Sequence, residues 1–198
     1  MTDHFCRFGI DRTFAVNRDV LEKRFHELQL QSHPDRHVAS DETRQDRALA
    51  ESSDINAAYR TLREPILRTK HLVELYGFPI SERKSVPSSL LMTVMEAQEK
   101  IAELESASTQ REKERSMREL YTIVEDLEGQ RETIDAEREL IARKWDSRMH
   151  PNESGELSKQ EQEELGRMAQ LMSERAYLET LRISVSAARQ GKPAFIQH

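Results

Sequence analysis

Residues 17–37 read NRDVLEKRFHELQLQSHPDRH, and the break at His33-Pro34-Asp35 decides how the chain is parsed. Proline fixes its own φ, lacks an N–H and pushes the residue before it toward extended backbone, so a helix running to Ser32 should stop there. Upstream, Leu21, Phe25 and Leu28 recur at steps of four and three, the stripe of an amphipathic helix over about 17–32 with Asn17 as N-cap. Downstream, Ala48, Ser52, Ile55, Tyr59 and Leu62 keep the rhythm over about 41–62. Two antiparallel helices would set Leu21, Phe25 and Leu28 against Ile55, Tyr59 and Leu62, with the tripeptide exposed at the hairpin tip. A stiff loop carrying an imidazole and a carboxylate suits contact with another protein, Asp35 pairing with an arginine there. Taken by itself, the tripeptide is equally a plain helix terminator.

Further along, Phe5, Phe8 and Ile10 are placed to cover one end of the hairpin, and Pro65 fits the first turn of another helix that stops before Gly77. The stretch 77–87, GFPISERKSVP, interrupts the helical pattern with two prolines and a glycine and reads as a linker. Three helical stretches follow, over about 88–106, 111–149 and 158–188. The middle one repeats Met117, Leu120, Val124, Leu127, Ile134, Ile141 and Trp145; the last repeats Leu165, Met168, Leu171, Met172, Leu178, Leu181 and Val185. An antiparallel three-helix bundle is the simplest packing. The chain is thus expected to be all-α: a helical hairpin domain (1–76), the linker, a bundle (88–188) and a tail (189–198), the two domains separable.

The first bundle helix has two faces. At about 100° per residue, Leu90, Val94, Ala97, Ile101 and Leu104 form the stripe for the interior, while Met92, Met95, Glu96, Glu99 and Glu103 cluster opposite. Single exposed apolar residues need no explanation. Methionines rimmed by carboxylates, however, have the composition of a binding patch, since methionine adapts to irregular partner surfaces and the acidic rim orients a basic partner.

Three segments carry a family resemblance: His4-Phe5-Cys6-Arg7-Phe8-Gly9-Ile10, the His-Pro-Asp loop, and Ile55-Asn56-Ala57-Ala58-Tyr59-Arg60-Thr61-Leu62 resemble a J-domain. With Arg63 to Phe78, REPILRTKHLVELYGF, and the all-helical remainder, the chain resembles the HscB family of J-type co-chaperones of iron–sulfur cluster assembly over about 4–184. The resemblance implies that His33, Pro34, Asp35, Arg24 and Arg36 dock on a DnaK-type, HscA-like chaperone ATPase and stimulate it. It implies that Leu91, Met92, Met95, Glu96, Glu99, Glu103 and Tyr177 bind an IscU-type scaffold protein, and that the chain has no cofactor and no catalytic activity of its own. This sequence departs from the family pattern at Ser32, where tyrosine is common, at Arg36 for lysine, at Leu30 for a basic residue and at Thr93 for an acidic one. Arg18, Lys23 and Arg24 are offset by Asp19, Glu22 and Glu27, which weakens electrostatic docking to an acidic partner.

Composition agrees. Charged residues are 33% of the chain against six glycines and six prolines, which favours long solvated helices. A formal charge of −6 argues against general affinity for nucleic acid or anionic membranes. No apolar run approaches the roughly 18 residues that span a bilayer, and the first element begins too near Met1 for a leader, so a cytoplasmic, bacterial protein is expected. The one cysteine, Cys6, excludes an internal disulfide and, between Phe5 and Phe8, reads as a small buried filler. Rival readings are a metal site at His33, Asp35 and His37, a J-domain adaptor for another client, and a coiled-coil spacer. A monomer or weak oligomer is expected.

Overall fold

The computed structural model describes residues 2–32, 42–80, 86–148 and 157–192. All regular structure among them is helical: α1 His4–Phe8, α2 Arg18–Ser32, α3 Glu42–Arg63, α4 Pro65–Leu75, a 3-10 turn at Ser88–Leu90, α5 Leu91–Ser106, α6 Gln110–Asp146 and α7 Lys159–Arg189. The helix ends follow from local chemistry. Asn17 Oδ1 accepts the N–H groups of Asp19 (3.0 Å) and Val20 (3.2 Å), Pro65 opens α4, and Gly77 takes a positive φ of 83° just after α4. Two reciprocal capping boxes, Thr109 with Glu112 and Ser158 with Glu161, start α6 and α7.

The helices form two compact units, one of Met1–Pro79 with Ile141–Gly166, the other of Ile80–Leu140 with Arg167–His198. In the first, α2 and α3 pack through the apolar stripe, with Leu21, Ile55 and Leu62 buried and Phe25 stacked on Tyr59 at 4.1 Å. Phe5 and Phe8 of α1 are buried as well. Cys6, however, is exposed: on a helix it points about 100° away from Phe5, so the burial expected for it is overturned. His71 of α4 accepts the His4 backbone N–H at Nε2 (3.1 Å) and stacks on the His4 ring at 4.2 Å; burial, and then the neighbouring His4, push its pKa down to about 4.

This unit reaches past the linker expected at 77–87, because the last turn of α6 closes on the segment before α2. Trp145 is fully buried, edge-on to Phe14 and Tyr76, and its indole N–H donates to the Arg12 carbonyl (3.2 Å). Asp146 accepts the N–H groups of Phe14 and Ala15, both at 2.7 Å. From α4, the buried Arg68 donates to the carbonyls of Phe14 and Leu62.

The second unit is a bundle of α5 with most of α6 and α7. Its core draws Leu90, Val94, Ala97 and Ile101 from α5, Leu120, Ile123, Leu127 and Ile134 from α6, and Leu171, Leu178, Leu181 and Val185 from α7. Glu137 pairs with Arg167 (2.8 Å) and Tyr121 lies under Arg189 (4.9 Å), an inverse order that makes α6 and α7 antiparallel. Ser89 meets Glu174 (2.9 Å) near the start of α5, and Leu104 shares a cavity with Ala188 near its end, so α5 and α7 run parallel.

Candidate functional site

The exposed side of α5 is the candidate site, and it follows from the helix period. Leu90, Val94, Ala97 and Ile101 are buried within an arc of one side, and Leu104 is half-buried beside them. At about 100° per residue, the arc holding Leu91, Met92, Met95, Glu96, Glu99 and Glu103 is centred roughly 180° away. All six are exposed, the apolar three by 48%, 77% and 57%. Leu91 and Met95, four apart, sit one above the other with Met92 beside them, and the glutamates continue the same face toward the C-terminal end. A contiguous apolar cluster left in water at the start of a helix, followed by carboxylates, has the composition that suits a partner with an apolar pocket and basic groups.

Not every carboxylate is equally available. Lys100 Nζ binds both oxygens of Glu103 (2.9 and 3.0 Å) and reaches Glu119 of α6 (3.4 Å), and these bonds hold the ammonium pKa above its ordinary value. Glu96 and Glu99 are therefore the freer charges. Lys100 was not singled out from sequence, although its i,i+3 spacing to Glu103 is the signal that marks it. Tyr177 is half-buried on α7, and burial raises its pKa. Ser89 meets Glu174 and both positions lie three residues earlier, so the parallel α5–α7 register puts Tyr177 at the axial level of Met92.

Of the residues assigned to the other surface, His33, Pro34, Asp35 and Arg36 lie outside the described residues. Arg24 is on the exposed side of α2, its guanidinium bonded to Glu27 at 2.9 Å. Ser32, where the family pattern has tyrosine, is buried with its hydroxyl donating to the Leu28 carbonyl (3.0 Å). Among the described residues no cluster of three or more His, Cys, Asp or Glu is arranged to hold a metal; His33, Asp35 and His37 fall outside them. No described helix is long and apolar enough to cross a membrane.

No family model matches the chain. Its fold is similar to that of several solved structures, among them two HscB proteins. One is the chaperone HscB from Vibrio cholerae, at 19% identity and a TM-score of 0.56, the match covering 96% of this chain and 99% of that one. The other is the human co-chaperone protein HscB, at 20% identity and a TM-score of 0.60, covering 94% of this chain and 81% of that one. At these identities the likeness is one of fold, and it extends over nearly the whole chain.

Proposed function

We propose that this chain is a J-type co-chaperone of iron–sulfur cluster assembly that catalyses no reaction itself. In this reading the His33-Pro34-Asp35 loop, with Arg24 and Arg36, engages a DnaK-type, HscA-like ATPase and stimulates hydrolysis. The outer face of α5, with Tyr177, holds an IscU-type scaffold protein. Carrying both surfaces on one polypeptide raises the effective concentration of the client at the chaperone and couples client arrival to ATP consumption. Domain 1–76 would supply the first activity and 88–188 the second, in a protein of the cytoplasm that works as a monomer or weak oligomer.

The observation that carries the reading is the exposed Leu91, Met92 and Met95 cluster on a helix whose opposite side is fully used by the bundle. These side chains lie outside the buried core and keep much of their apolar surface in water, so burial against a partner is what they are suited for, at about 25 cal/mol per Å² of apolar area removed from water. The HscB likeness in fold supports the choice of partners.

The loop is tested through the ATPase. His33→Gln or Asp35→Asn should leave helicity and thermal midpoint unchanged and abolish stimulation of the chaperone's steady-state hydrolysis. Stimulation by both variants at the wild-type level would remove the loop from the mechanism.

A further inference from the structure

At the end of the second unit, where α5 and α7 stop and α6 starts, an open cavity of about 590 Å³ has a different character from the α5 face. Leu104, Met117 and Ala188 supply buried and half-buried apolar wall. Lys113, Arg118 and Arg189 line it as well, the first two exposed. The single acidic group in the lining, Glu114, is held by the Gln110 side chain at 3.0 Å. Nearby cations are engaged, Arg115 by Glu119 (2.9 Å) and Lys100 by Glu103, but Lys113, Arg118 and Arg189 carry no ion pair among the described residues. Arg189 stacks over the Tyr121 ring at 4.9 Å, and its Nε is a buried donor that no acceptor meets. Three unpaired cations gathered around an apolar wall are a departure in a chain whose net charge is −6.

We infer that this cavity docks an acidic, amphipathic peptide segment of a partner protein. A glutamate or aspartate of that segment pairs with Lys113 and Arg118, and an apolar neighbour in the same segment covers Leu104 and Met117. Charge complementarity sets the choice: the α5 face is acidic and suits a basic partner, whereas this end is cationic and admits the opposite sign. One bundle thereby presents two docking surfaces of opposite charge, and this inference stands whether or not the proposed co-chaperone role does.

The test is fluorescence anisotropy of the full chain with three short labelled peptides: glutamates flanking two leucines, lysines flanking two leucines, and glutamates flanking two serines. The glutamate–leucine peptide should bind, and the other two should bind at least about tenfold more weakly, because each lacks one half of the complementarity. Lys113→Glu with Arg118→Glu, both exposed, should leave the thermal midpoint near wild type and weaken the glutamate–leucine peptide by about tenfold or more. Met92→Ala with Met95→Ala should leave that affinity unchanged. Equal binding of the three peptides, no binding of the glutamate–leucine peptide, or unchanged affinity in the charge-reversed variant would overturn the proposal. So would self-association through this end, abolished by the same two substitutions, since the occupant would then be a second copy of the chain.

Discussion

The outer face of α5 and the junction around Arg68 in the first unit invert the ordinary rule in opposite directions. On α5, Met92 and Met95 stand 77% and 57% exposed, while at the junction Arg68 is 8% exposed and His71 3%. The junction polar groups are matched to backbone partners: Arg68 to two carbonyls, Asp146 to two N–H groups, Trp145 to one carbonyl and His71 to one N–H. Buried polarity of that kind is structural, because each group is costly to leave unmatched and each is answered. The methionines have no such internal account. The difference separates residues that hold the fold from residues available to a partner, and substitutions at the two places should therefore act on different measurements.

The largest effect is expected at the junction. Trp145→Ala removes a fully buried aromatic and should cost about 3–5 kcal/mol of stability. Arg68→Met leaves the Phe14 and Leu62 carbonyls without their donor and should cost about 1–3 kcal/mol for each group left unmatched. Chemical denaturation measures both, and a loss under 1 kcal/mol at either site would break the contrast. By the same argument, residues 1–79 made as a fragment lack Trp145 and Asp146 and should melt below the intact chain.

A smaller effect is expected from pH. His71 has a folded pKa of about 4 against an ordinary value of 6.5, so the unfolded state takes up its proton first and the folded state loses stability as pH falls from about 6.5 to 4, by on the order of 3 kcal/mol. His71→Phe should flatten that part of the stability profile, whereas an unchanged slope would show that the buried imidazole is not its source. The smallest effect belongs to the rim of α5. Glu99→Ala should weaken scaffold binding mildly, and only at low salt, since exposed charges are screened. A large, salt-independent loss would place Glu99 at the centre of the interface instead.

Much of this was legible in the sequence where the signal is local. The stripe Leu90, Val94, Ala97 and Ile101 is buried as the helical period requires, the α7 stripe from Leu165 to Val185 is buried throughout, and Asn17 caps α2. Phe25 and Tyr59 meet as the hairpin demands. What escaped was non-local or outside the hydrophobic pattern. Periodicity marks Trp145 as apolar-facing but does not say that its neighbours are Phe14 and Tyr76, more than 60 residues away. Nor does a charged residue such as Arg68 announce burial, because its partners are backbone carbonyls that every sequence has. Cys6 was misplaced because flanking phenylalanines in sequence are not flanking side chains on a helix. The Thr109–Glu112 box, by contrast, is local and stands in the sequence as T-x-x-E, a polar signal that lies outside the hydrophobic period.

Calorimetric titration of an IscU-type scaffold into wild type and the Met92→Ala, Met95→Ala double variant tests the central claim most directly. Both side chains are exposed, so the variant should melt within about 0.5 kcal/mol of wild-type stability. Its affinity for the scaffold should fall by more than about 1 kcal/mol per truncated anchor at any salt concentration. Undiminished affinity in the folded double variant would contradict the assignment of this face, and absence of binding by the wild type would contradict the choice of client.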